Sequence, residues 1–127
     1  KNKKLKAMVT AGPTREYLDP VRYLSNLSSG KQGYAIAESL AKFGIKTTLV
    51  SGPTELRTPE NVEIIKVETA KQMLSEVKKL LPVNIAVCSA AVSDYSLENY
   101  SKEKIKKENN DKLVLRFKKN PELYKRT

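Results

Sequence analysis

The stretch SSGKQGYAIAESLAKFGIKTTLVS, Ser28–Ser51, decides the fold of this chain. Tyr34, Ile36, Ala37, Leu40 and Ala41 recur at helical spacing, so a helix opens at Ser28-Ser29-Gly30 and runs to Phe43. Gly44 supplies the residue type that ends helices most readily. Thr47–Ser51 follows as a short β-branched strand that stops at Gly52-Pro53. A helix that passes at once into a buried strand is half of a βαβ unit.

The same alternation extends outward. Upstream, Leu5–Ala11 reads as a short buried strand ending in the Gly12-Pro13 turn. Residues 14–28 are polar and read as irregular, with Pro20 arguing against a helix. Downstream, Val62–Val67 is a strand. Ala70–Leu81 is an amphipathic helix with Met73, Leu74, Val77, Leu80 and Leu81 on one side, stopped by Pro82. Ile85–Ala91, the most apolar run, predicts a central strand. Residues 95–111 read as a Lys-rich loop and Lys112–Phe117 as an exposed strand. Asn120-Pro121 should start a further helix. Strands alternating with helices predict a three-layer, Rossmann-like α/β fold with a mostly parallel sheet. Such a sheet puts its ligand at the carboxyl ends of its strands. Four loops leave those ends: 11–30, 51–61, 88–111 and 118–121.

At 127 residues, 39% of them hydrophobic and 30% charged, the chain amounts to one domain able to bury a core. No apolar run reaches the ~18–20 residues of a membrane span, and the basic start at Lys1–Lys6 lacks a signal peptide's apolar stretch. The lone Cys88 forms no internal disulfide and fits a reducing, cytoplasmic setting. With no histidine to activate it, Cys88 reads as a small core residue rather than a nucleophile. The net charge of +10 sits at the two ends. Residues 1–6 hold four lysines and no acid, and residues 101–127 hold ten Lys/Arg against four Asp/Glu. Residues 7–100 hold ten of each. That distribution suits nucleic acid, small phosphorylated ligands or simple solvated faces. The absence of Trp and the presence of only two Phe argue against a base-stacking platform for single strands.

Four segments carry candidate chemistry. Ser28–Gly33 sits at a helix start, where backbone N–H groups and the helix dipole favour an anion. It is not a P-loop, because Ser25 and Gln32 stand where Gly and Ser/Thr are needed. Nor does it fit a dinucleotide fingerprint: Ser28 replaces a glycine, and no acid follows the second strand to hold a ribose. An ordinary capped helix would give the same segment. Asp19–Asn26 offers Arg22 for a carboxylate or phosphate and Asn26 for a carbonyl or amine, unless Asp19 and Arg22 merely pair. Cys88-Ser89-Ala90-Ala91 ends a strand with small residues that admit a flat base, with Asp94 at the rim for a ribose hydroxyl, a base amine or Mg²⁺. Lys102–Lys107 is a basic loop suited to closing over polyphosphate, or to solvent alone.

Taken together, Val9–Arg15, Asp19–Asn26, Ser28–Gly33, Leu49–Pro53, Ala90–Tyr95, Lys104–Lys107 and Lys119–Pro121 resemble the ligase domain of the bacterial phosphopantothenoylcysteine synthetases, often fused to a flavin-dependent decarboxylase. The resemblance spans almost the whole chain in the family's order. It implies a phosphopantothenate–cysteine ligase of coenzyme A synthesis, with 4′-phosphopantothenate, L-cysteine and CTP as substrates and Mg²⁺ assisting. In its two steps, the carboxylate attacks the α-phosphate of CTP, giving an acyl-cytidylate and pyrophosphate; the cysteine amine then displaces CMP. The resemblance assigns Asn26 to the acyl-cytidylate, with Arg22 beside it and Lys104 on a flap that stabilises developing charge. It gives the nucleotide to Gly12, Ser29, Gly30, Cys88, Ser89, Ala90, Asp94, Lys104, Lys119, Asn120 and Pro121. Metal ligands are left unassigned. It further implies a homodimer, a fused or partner decarboxylase, and residues 1–127 as the N-terminal, nucleotide-binding part of a longer domain. Flavin (FMN) and the decarboxylase's catalytic histidine belong to that other half and are not expected here. A basic nucleic-acid-binding module without ligase activity is the competing expectation, and an NAD-linked reductase a weaker one.

Overall fold

The computed structural model describes residues 5–91, together with the backbone of 95–97 and 117–119. Four parallel strands form the central sheet: β1 (Lys6–Ala11), β4 (Lys46–Ser51), β5 (Val62–Lys66) and β6 (Ile85–Cys88), in the order β5-β4-β1-β6. Between β1 and β4 lie the hairpin strands β2 (Arg15–Asp19) and β3 (Arg22–Ser25), then helix α1 (Lys31–Lys42). Helix α2 (Ala70–Leu80) connects β5 to β6. Beyond β6, β7 (Tyr95–Leu97) pairs antiparallel with β8 (Phe117–Lys119).

Strand β1 shows why the sheet needs cover on both sides. Successive side chains alternate between faces. Met8 packs with Met73, Leu74 and Val77 of α2, while Val9 and Ala11 pack with Tyr34 and Ala37 of α1. Its partner β4 divides likewise, Val50 joining the α2 cluster and Leu49 the α1 cluster. Both strands are therefore buried from their second residue to their last, the polar side chains Thr10, Thr47, Thr48 and Ser51 included. Each fully buried Met, Val or Leu contributes on the order of 1.5–3 kcal/mol.

The helix ends follow from local chemistry. Thr69 caps α2 by accepting from the Gln72 N–H at 3.1 Å, and the Gln72 side chain returns to the Thr69 N–H at 3.1 Å. Gly44, at φ 84°, closes α1 as the residue just past its C-cap.

Two expectations change. Residues 14–28 are not irregular: they hold the antiparallel hairpin β2–β3, with Tyr17 opposite Tyr23 and a bulge between Tyr17 and Asp19. Asp19 makes the turn, its carboxylate accepting from the N–H groups of Val21 at 2.9 Å and Arg22 at 2.8 Å. The run 85–91 does not become a central strand among the described residues. β6 ends at Cys88 and takes the last place in the sheet order. Helix α2 packs on β4 and β1, so Cys88 is exposed rather than in the core. Only an isolated bridge, Pro13 to Ala91, continues the pairing.

Candidate functional site

The carboxyl ends of β1, β4 and β6 converge on glycines. Gly12 follows β1 with φ 79°, and Gly30 precedes α1 with φ 80°; an L side chain rarely adopts either. A Cβ on Gly30 would lie 3.2 Å from the Gly12 Cα, and one on Gly12 would lie 2.9 Å from the Thr54 Cγ2. Gly33 is closer still: its Cβ would fall 2.4 Å from the Ala11 Cβ and 2.5 Å from the Ser89 Oγ. A Cβ on Gly52 would overlap the Pro13 carbonyl, 1.8 Å away. The first turn of α1 is thus pressed directly onto the ends of β1 and β6. It carries no acidic residue and no side-chain cap, although Ser29 Oγ accepts from the Lys31 N–H at 3.3 Å. Its positive end is suited to an anion.

The end of β6 is tied to the same place. Ser89 donates through its N–H and its hydroxyl to the Thr10 carbonyl, at 3.1 and 2.6 Å, and the Ala90 N–H reaches the Thr10 hydroxyl at 3.4 Å. The Ala91 N–H donates to the Gly12 carbonyl at 3.0 Å, and the Ala91 carbonyl accepts from the Thr14 N–H at 3.2 Å. Asn26 joins this node: its Nδ2 donates to the same Ala91 carbonyl at 3.2 Å. Ser25, one residue earlier, donates to the Thr14 carbonyl at 2.8 Å. Gly12, Gly30, Ser89, Ala90 and Asn26 therefore meet around one set of strand ends.

Arg22 stands apart from that node, at the start of β3, with its Nη1 3.5 Å from the buried Asp19 carboxylate. Of the two readings of this segment, the pair is present. Cys88 lies at the end of β6, in register with Thr10. Lys119 ends β8, opposite Tyr95. The loop assigned to 95–111 begins inside β7, since Tyr95–Leu97 is a strand; Asp94, Lys104, Asn120 and Pro121 lie outside the described residues. Among the described residues no group of three or more His, Cys, Asp or Glu side chains is placed to hold a metal ion, and no helix is long and apolar enough to cross a membrane.

Sequence reasoning missed Thr54, which walls Gly12 and Gly30, and the hydroxyl pair Tyr34–Ser51 at 2.7 Å beneath it. Their residue types carry no signal without the fold. It also missed a groove of about 510 Å³ between α1 and the loop Leu56–Asn61, floored by Tyr34 and rimmed by Lys31, Arg57 and Glu60. Of the four segments that carry candidate chemistry it touches only Ser28–Gly33, through Lys31, and its other wall belongs to the loop 51–61.

Comparison with known proteins places these features in a family context. The DNA/pantothenate metabolism flavoprotein C-terminal domain matches residues 2–127. The Escherichia coli coenzyme A biosynthesis bifunctional protein CoaBC is 48% identical over 124 residues, which are 95% of this chain and 30% of that protein. The chain thus spans about 30% of the length of the curated relatives it matches. The crystal structure of the C-terminal domain of a CoaBC protein superposes with a TM-score of 0.82 at 37% identity, covering 98% of this chain and 59% of that one. The DNA/pantothenate metabolism flavoprotein of Streptococcus pneumoniae gives 0.78 at 28% identity, covering 94% and 62%.

Proposed function

The chain belongs to the family of the DNA/pantothenate metabolism flavoprotein C-terminal domain, and on that premise we propose that it is the nucleotide-handling part of a phosphopantothenate–cysteine ligase in coenzyme A synthesis. Its substrates are 4′-phosphopantothenate, L-cysteine and CTP. The observation that carries this reading is the node at Ala91, where Asn26 and the end of β6 meet beside Gly12 and the positive end of α1. A ligase of this kind must hold a triphosphate, an activated carboxylate and an amine within bonding distance of one another.

In the proposed reaction the substrate carboxylate attacks the α-phosphate of CTP and pyrophosphate leaves. The cysteine amine then attacks the acyl carbon, CMP leaves, and the amine's proton is lost as the amide forms. The glycine-lined start of α1 receives phosphate through backbone N–H groups. Small residues at Cys88–Ala90 leave space for the base, with Asp94 at the rim and Lys119, Asn120 and Pro121 completing the pocket. Asn26, anchored by its amide nitrogen, presents its carbonyl oxygen as an acceptor to the incoming amine beside the acyl group. Lys104 supplies charge near phosphate, and Arg22 would do so by leaving its pair with Asp19. Among the described residues no three carboxylates gather around one point, so Mg²⁺ would be held chiefly by the nucleotide's phosphates and water. The relatives' bifunctional name supports a decarboxylase as fused or separate partner, and we extend the reading to a cytoplasmic homodimer.

Titration calorimetry of the full-length protein with CTP, ATP and UTP in the presence of Mg²⁺ tests the reading. CTP should bind more tightly by about 1–3 kcal/mol, the discrimination expected of a cleft with fixed backbone donors and acceptors. Equal affinity for the three nucleotides would reject it. Salt-sensitive binding of DNA with no pyrophosphate release on adding substrates would favour the nucleic-acid module instead.

A further inference from the structure

Glu16 sits on β2 opposite Leu24 of β3 and is only 5% exposed. Its carboxylate accepts from the N–H of Ala70, the first residue of α2, at 3.0 Å. The first turn of α2 holds no acidic residue of its own, so an anion 54 positions upstream faces the helix's positive end. The neighbouring bonds run the same way. The Arg15 N–H donates to the Glu68 carbonyl at 2.6 Å, and the Tyr17 hydroxyl donates to the Glu68 carboxylate. The Glu68 N–H is itself fixed by the Gln72 side chain at 2.8 Å. The start of α2 thus grips β2 at three successive residues. From β2 the path to the site is short: Arg15 pairs with Ser25, and Asn26 follows and donates to Ala91.

We propose that Glu16 is a positioning residue for Asn26: by bonding the start of α2 it fixes the hairpin β2–β3 and sets where the Asn26 amide stands over the end of β6. The proposal rests on the functional reading of Asn26 given above. Glu16 touches no substrate in it and acts through the hairpin. A displacement of the Asn26 amide of about 1 Å would slow the step it orients by roughly tenfold or more.

The test is a cycle of Glu16→Ala and Asn26→Ala in the full-length protein, reading steady-state amide formation and CTP affinity, with Glu16→Gln and Thr69→Ala as companions. Glu16→Ala should lower kcat about tenfold while CTP affinity changes less than about twofold. Glu16→Gln, which keeps an oxygen for the Ala70 N–H, should restore most of the rate. In the Asn26→Ala background Glu16→Ala should cost almost nothing more, because both act on one group. Thr69→Ala weakens the same helix start without touching the hairpin and should leave kcat near wild type. Equal losses from Glu16→Ala with and without Asn26 would overturn the proposal. So would a kcat loss in Thr69→Ala matching that of Glu16→Ala. An Asn26→Ala enzyme of normal rate would instead remove the functional reading of Asn26, and the proposal with it.

Discussion

Tyr17 and Tyr23 meet edge to face across the hairpin, 5.5 Å between ring centres, and the Arg15 guanidinium lies 4.4 Å over the Tyr23 ring. The hydrogen bond from Tyr17 to the Glu68 carboxylate raises the phenol's pKa above its usual 10.0; burial adds to the rise and Arg15 opposes it. A raised folded-state pKa stabilises the fold in full below the unfolded value, and that contribution is lost as pH rises through the folded value. Tyr17→Phe keeps the ring but not the bond. Wild type should therefore melt above the variant at about pH 9, and the gap should narrow as the pH rises above 10.0. Thermal unfolding from about pH 8 upward checks this; a non-zero gap constant with pH would mean that the bond does not depend on the phenol's proton, and no gap at about pH 9 would mean that the hydroxyl contributes nothing. Residue identity also set how far the site was legible. Arg22 and Asn26 stand out in sequence as residues able to hold a phosphate, carboxylate or amide, but whether Arg22 pairs with Asp19 depends on a turn that sequence does not display. Glu16 gave no signal, since its partner Ala70 is an alanine whose only contribution is a backbone N–H.

Elements that bury apolar residues on a regular period were legible in outline. Helices at 31–42 and 70–80 and strands at 6–11, 46–51 and 62–66 fall within a few residues of expectation, because hydrophobic spacing and Gly/Pro punctuation both mark them. The hairpin was not, since its strands REYLD and RYLS do not alternate apolar with polar and half of it faces solvent. Among the described residues β6 has the last place in the sheet order and Ile85 and Val87 are only half-buried, so the central position read from its apolarity does not appear there. At the α1–β1 packing, closeness matters more than period. Gly33 leaves α1 so near Ala11 and Ser89 that even a methyl group has no space. Gly33→Ala should lower stability by about 1–3 kcal/mol, as overpacking of a dense core does, and should shift the Ser89 hydroxyl from the Thr10 carbonyl. Urea denaturation checks the size. A midpoint unchanged from wild type would mean that α1 can slide, and that the tight approach is not required.

Across the whole molecule charge and architecture divide the work. Residues 7–100, which contain the described central sheet apart from Lys6 and the two described helices, are neutral, with ten basic and ten acidic side chains. The excess of +10 comes from the two ends of the chain, and 101–127 alone supply ten Lys/Arg against four Asp/Glu. In the proposed ligase the central sheet then provides backbone N–H groups and shape, while neutralising charge for a triphosphate comes from the later segment. Four lysines within Lys102–Lys107 carry much of it. General attraction of CTP is shared among them, so removing one should weaken binding little. A positioned contact at the α-phosphate is not shared, and its effect is largest when negative charge develops there. Lys104→Gln is therefore expected to slow single-turnover pyrophosphate release at saturating CTP by about tenfold or more, while raising the CTP dissociation constant by no more than about threefold, as for a screened surface charge. Rapid-quench release assays and calorimetry on the same variant separate the two effects. A normal release rate with a raised dissociation constant would reduce Lys104 to one charge among several, and the activation step would then need its cation from elsewhere in the site.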